Sequence, residues 1–347
     1  MNKYMIGVVI VIGIGIVFLG LYIYMSEEQV ADRKDINSDS IKVFTSIYPV
    51  YETARKIAGE KIDIGLIIPN GVEVHSYEPS PKKIVQLENA DLFFYIGEAM
   101  EHWITKAELV LNESDIKSIE LSRHLDLISL ENEDNVDNED DYHEENHQQA
   151  DHEQEHEEYH DPHQLEEHGH THGSYDPHVW LDPMNMKKIA EIIKDELVRF
   201  DPDNKDFYNA NYSDFSTEVK ELDRDYRERL TEKDREFILV SHAAFAYLAR
   251  RYGFEQYAIS GITSHEESTP GNIARLIEIA EKNHLQHIFK EKQMSNRTVR
   301  VLADEADLEI LTLDPFIGLD KDEIRNNEDY FSVMRKNLEN LEKALVK

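Results

Sequence analysis

The sequence predicts an α/β protein built of two lobes. Each lobe is a mostly parallel sheet flanked by helices, and one long rigid helix joins them behind an N-terminal membrane-spanning or signal segment. Three observations predict this. Short apolar runs alternate with amphipathic helical runs from residue 41 to the end, which is the pattern of a parallel sheet with crossover helices. That alternation breaks at 131–172 and resumes after it. Between its two halves lies "KDFYNANYSDFSTEVKELDRDYRERLTE" (205–232), a charged stretch without Gly or Pro that reads as one long, partly exposed helix.

The elements follow in order. Residues 4–25, "YMIGVVIVIGIGIVFLGLYIYM", are 22 uncharged, mostly apolar positions. That length suits a spanning helix better than the shorter apolar region of a secretory signal. We therefore expect 1–25 to be a signal anchor or signal peptide and 26–40 a linker, with the remainder extracytoplasmic. The first lobe, 41–204, opens with the strand "IKVFTS", the helix "YPVYETARKIAG" and the strand "KIDIGLII". Then come the loop "PNGVEVHSYEPSP", a helix opened by Pro81, the buried strand "DLFFYIG" and the helix "EHWITKAELVL". Residues 185–199 form an amphipathic helix. The second lobe, 233–347, alternates "EFILVS", "AAFAYLARRYG", "FEQYAIS", "PGNIARLIEIAEKN", "HIFKE", "NRTVRVLADEAD" and "LEILTLD", and ends in a helical tail.

Composition limits the chemistry. The 347 residues include no cysteine, so His and carboxylates are the available metal ligands. A formal net charge of -34 makes a nucleic-acid surface improbable and cations the natural partners. Segment 131–172 holds 17 Asp and Glu, nine of the 17 His, and no Lys or Arg. Too polar to bury a core, it is expected to be disordered. Its histidines, His143, His147, His152, His156, His160, His163, His168, His170 and His172, are expected to collect divalent metal weakly. It also contains "HEENH", "HEQEH" and "HEEYH", each a match to the zinc-peptidase pattern H-E-x-x-H. Three matches within 18 residues of His, Glu and Gln arise from composition, and no apolar face would hold such a helix on a scaffold.

Four quieter residues share one setting, a loop expected at the carboxyl end of a strand: His75, His178 in "YDPHVWLDP", His242 after "FILVS", and Asp314 closing "LEILTLD". Ligands of open parallel sheets bind at such ends. Three imidazoles and one carboxylate would make a closed tetrahedral set for Zn²⁺. Taken singly, each could equally be a satisfied polar side chain, and Asp314 a turn former.

The pieces "FTSIYPVYETARKIAG", "NGVEVHSYEPSP", "ENADLFFYIGEAMEHWI", "YDPHVWLDP", "VSHAAFAYLARRYGF", "GITSHEESTPGNIARLIEIAEKN" and "LTLDP" resemble, in order, the ZnuA-type family of zinc and manganese substrate-binding proteins of ABC importers. The resemblance covers nearly all of 41–347 and implies two lobes bridged by a rigid helix. It implies metal ligands at His75, His178, His242 and Asp314. Manganese-type members tend to carry Glu at the third position, so His242 favours zinc. Zinc-type members often carry a His- and acid-rich insertion where 131–172 lies. The implied role is non-enzymatic: a monomer that captures Zn²⁺ and delivers it to a membrane permease. Alternatives are another transition metal on the same fold, or a surface adhesin; a metallopeptidase comes last. Many family members are anchored through a lipidated Cys, which this sequence lacks, and "EVHSYEP" departs from the usual residues before the first His. A free His pKa of about 6.5 further predicts weaker metal binding below roughly pH 6.

Overall fold

The computed structural model describes residues 41–130, 175–262, 269–292 and 297–346. The anchor or signal at 1–25, the linker at 26–40 and segment 131–172 with its nine histidines lie outside the described residues. Among the described residues no helix is long and apolar enough to cross a membrane.

The first sheet contains β1 (Lys42–Thr45), β2 (Asp63–Leu66), β3 (Leu92–Tyr95) and β4 (Lys117–Glu120) in the order β2-β1-β3-β4. Every pairing is parallel. Helices α1 (Tyr48–Ala58), α2 (Pro81–Glu88) and α3 (Ile104–Glu113) supply the crossovers. The apolar strand residues Val43, Leu92, Phe93 and Phe94 are buried, as a sheet covered by helices requires.

Helix α4 (Pro183–Phe200) then packs on α1 and on the long helix α5 (Lys205–Arg229). With 25 residues, α5 is about 38 Å long. It buries Tyr208, Phe215, Val219, Leu222 and Tyr226, one stripe at helical spacing.

The second sheet repeats the topology of the first. Strands β5 (Phe237–His242), β6 (Glu255–Ser260), β7 (His287–Lys290) and β8 (Glu309–Thr312) lie in the order β6-β5-β7-β8, again all parallel. Helices α6 (Ala246–Tyr252), α7 (Pro270–Lys282) and α8 (Arg297–Glu305) connect them, and α9 (Lys321–Arg325) and α10 (Tyr330–Leu345) close the chain. Helix α10 packs on α5, where the Tyr226 hydroxyl donates to the Met334 carbonyl at 2.7 Å and Phe215 meets Phe331 edge to face. One buried cluster runs from Val43 to Leu345 through both lobes; a smaller one, around Leu239, Leu276 and Leu302, lies under the second sheet.

The structure corrects three details of the sequence reading. Strand β4, "KSIE", was not expected, because half of its residues are exposed at the sheet edge and no apolar run marks it. The expected single tail helix is two, separated where Asp329 begins a new capping box. His178 does not follow a strand of either sheet. It follows an isolated antiparallel bridge between Ser129 and Tyr175 and leads through a 3₁₀ turn, Val179–Leu181, into α4.

Candidate metal centre

His242 is the last residue of β5. Strand β5 lies beside β7, with Val240 opposite Phe289. Two residues further along both strands, this register sets His242 beside Glu291. Here the strand order reverses, which is where open α/β sheets form their ligand crevices. The Glu291 carboxylate is hydrogen-bonded to His242 Nδ1, and both side chains are buried.

His178 is held by its own motif. In "DPH", Asp176 Oδ1 accepts the His178 backbone N–H at 2.8 Å and bonds the ring Nδ1 at 2.8 Å. Asp176 is itself fixed from the other lobe, since the Tyr247 hydroxyl donates to its carbonyl at 2.8 Å. Further along the motif, Trp180 Nε1 donates to the Pro315 carbonyl at 2.7 Å, and Asp182 caps α4 by accepting the Met184 N–H.

His75 sits nine residues beyond the end of β2, in the loop that precedes α2. Its backbone N–H donates to Glu73 Oε1 at 3.1 Å. Its ring Nδ1 has no hydrogen-bond partner among the described residues, so it lacks the carboxylate clamp of the other two rings.

The three rings converge. His75 Nε2 lies 3.2 Å from His178 Nε2, which lies 3.4 Å from His242 Nε2. One ligand atom from each residue lies within 4.8 Å of the other two. With Nδ1–H of His178 and His242 committed to carboxylates, their Nε2 atoms carry lone pairs that face each other. Two such lone pairs gain nothing from facing each other at 3.4 Å unless a shared cation stands between them, whereas His75, with Nδ1 unpartnered among the described residues, can meet His178 either by donating from Nε2 or by sharing that cation.

Asp314 enters from the second lobe, two residues past β8. Its backbone is gripped by Asn337, whose Oδ1 accepts the Asp314 N–H at 2.9 Å and whose Nδ2 donates to the Asp314 carbonyl at 2.8 Å. Asp314 Oδ1 accepts the Phe316 N–H at 2.8 Å, and Oδ2 lies 3.8 Å from the Lys292 ammonium. Its carboxylate does not join the three imidazoles within their mutual 4.8 Å.

Burial governs the electrostatics. It lowers the His75 pKa to about 3, with His178 as the next cause, and holds His178 well below its ordinary value. These rings therefore stay neutral with lone pairs available. Burial also pushes Asp176 up to about 7 and Asp314 up to about 6. Rings that resist protonation beside carboxyls that are costly to ionise make a pocket that an unprotonated cation would relieve.

Sequence reasoning missed Asp176, Glu291, Asn337 and Trp180. Asp176 carried a readable signal, an Asp two residues before a ligand-type His, which is the spacing of an Asx turn. Glu291 is visible only once β5 and β7 are known to be neighbours.

Comparison with known proteins identifies the family. The family profile described as zinc-uptake complex component A, periplasmic (ZnuA) matches residues 43–344. The zinc-binding protein AdcA of Streptococcus pyogenes serotype M3 is 32% identical over 315 residues, covering 90% of this chain and 58% of that protein. The chain thus spans little more than half of that relative. The high-affinity zinc uptake system protein ZnuA of Bacillus subtilis is 32% identical over 314 residues, covering 90% of both. The crystal structure of the Zn(II)-bound ZnuA-like domain of Streptococcus pneumoniae AdcA superposes with a TM-score of 0.69 at 29% identity, covering 89% of this chain and all of that one. With its two parallel sheets, long connecting helix and three converging imidazoles, the chain belongs to the ZnuA family of zinc-uptake components.

Proposed function

We propose that this protein is the extracytoplasmic zinc-capturing subunit of an ABC-type metal importer, that His75, His178, His242 and Asp314 are its ligands, and that it hands Zn²⁺ to a membrane permease. The observation that supports this is the spacing of His178 Nε2 from the Nε2 atoms of the other two rings. Zn–N bonds of about 2.0–2.1 Å in a tetrahedron set the nitrogens about 3.3–3.4 Å apart. The two direct separations here are 3.2 and 3.4 Å.

The chemistry is capture without bond-making, and no catalysis is proposed. Neutral imidazoles replace the water around the ion, while Asp176 and Glu291 hold two of the rings in the tautomer that presents Nε2. Asp314 Oδ1 is committed to Phe316 N–H, which leaves Oδ2, now 3.8 Å from the Lys292 ammonium, as the oxygen to meet the ion. That arrangement favours one-oxygen coordination, which suits four-coordinate Zn²⁺ better than Mn²⁺, a cation that takes more and harder oxygen ligands. The histidines of 131–172 would serve as weak auxiliary collectors ahead of His178.

The test is a competition titration of the full chain with Zn²⁺ and Mn²⁺ against a chromogenic chelator, with element analysis of the loaded protein. One tight zinc equivalent, abolished by His178→Ala, is expected. A tight site that survives His178→Ala, or prefers Mn²⁺, contradicts the assignment.

A further inference from the structure

Asn70 and Leu319 meet across the two lobes. Asn70 lies five residues before His75, and Leu319 five residues after Asp314. Asn70 Nδ2 donates to the Leu319 carbonyl at 2.6 Å, and Asn70 Oδ1 accepts the Leu319 N–H at 2.8 Å. A single side-chain amide thus pairs with both backbone groups of one residue, as a neighbouring strand would. The approach is close. A Cβ on Gly318 would stand 2.1 Å from Asn70 Oδ1 and 2.6 Å from the Gly71 nitrogen, so only glycine lets the loops meet this way. On the second-lobe side the contact is rigid: Leu319 is buried, and Asp320 follows as the capping-box residue of α9.

His75 is the ring that needs such support. Carboxylates fix the rings of His178 and His242, whereas His75 Nδ1 has no partner among the described residues. The position of its ring therefore depends on where its loop is held.

We infer that Asn70, with Gly318 opposite it, is a positioning residue that fastens the His75 loop to the loop after Asp314 and thereby sets how long a bound cation is retained. This rests on the zinc-site reading above. An ion held by ligands from both loops leaves only when the loops part, and hydrogen bonds between the loops oppose that parting. Entry meets the loops before they close on the ion and is not opposed in the same way.

The experiment uses the full chain as wild type, Asn70→Ala, Gly318→Ala and the double variant. Zinc-loaded protein is mixed with excess chromogenic chelator in a stopped flow for release, and metal-free protein with Zn²⁺ for association; metal-free melting is recorded alongside. Asn70 is exposed, so Asn70→Ala is expected to fold and to melt within a few degrees of wild type. Its release should quicken about tenfold, the scale of two lost hydrogen bonds, with association changed less than about twofold. Gly318→Ala should do likewise, and the double variant should fall short of the product of the two, since both break one contact. Release from Asn70→Ala within about twofold of wild type, or equal changes in association and release, overturns the inference while leaving the zinc site standing. A wild-type chain that takes up no zinc overturns both.

Discussion

Replacing Asp176 by Asn should weaken zinc binding although Asp176 lies outside the proposed ligand set. Asp176 Oδ1 accepts two hydrogen bonds from His178, from the backbone N–H and from ring Nδ1, each at 2.8 Å. The residue is fully buried. An Asn oxygen can accept the same two bonds, but without charge, and charge-assisted bonds are roughly twice as strong as neutral ones. The neutral amide also stabilises less of the positive charge that the imidazole acquires when it binds a cation. Together these should weaken zinc binding by about 10- to 100-fold. Burial already pushes Asp176 up to about 7, so losing its charge costs the metal-free fold little; the amide hydrogens placed where Oδ2 has no partner among the described residues cost about 1–3 kcal/mol, which the melt of the metal-free protein will register. The assay pairs a chelator-competition titration with melting of the metal-free protein. Affinity within about threefold of wild type, in a variant that melts cooperatively, would refute the idea that this carboxylate prepares His178 for metal.

Ala at His75, His178 or His242 should each remove the tight equivalent in the same titration, because each deletes one of three converging imidazoles. In the metal-free protein the depressed pKa values of His75 and His178 withdraw stability as the pH falls below about 6.5, whereas Asp176, pushed up to about 7, and Asp314, pushed up to about 6, bind protons more readily in the folded state and add stability over the same window; melts of wild type against Asp176→Asn from about pH 7 to 5 should therefore show the variant losing more stability than wild type as the pH falls. Zinc affinity should also fall as the pH drops below about 6, where Asp314 takes up a proton while His75 and His178 remain neutral, and a chelator-competition titration across that window will register it. Deleting 131–172 should leave the tight equivalent intact and remove only weak additional ones in calorimetry; loss of the tight site would place the primary ligands in the wrong segment.

The fold was legible because its apolar runs are decisive. "DLFFYIG" and "EFILVS" can only be buried strands among helices of that spacing, and the absence of Gly and Pro in 205–232 leaves one long helix. Strand β4 escaped notice because an edge strand such as "KSIE" needs no apolar pattern. The site divides along the same line. Residue type and loop position left each of His75, His178 and His242 open, and the resemblance to a known family singled them out among 17 histidines, nine of them in the louder acidic run. What sequence could not supply was pairing. Glu291 meets His242 only because β5 and β7 are neighbours, and Asn70 meets Leu319 only because two lobes close on one another across 249 residues. The expected pH dependence changed for the same reason. A value near 6.5 belongs to a solvated imidazole, and burial by residues distant in sequence moves His75 to about 3. Sequence motifs thus identify which side chains can bind metal. The partners that fix tautomer, charge and residence come from across the fold, where their spacing in the chain carries no signal.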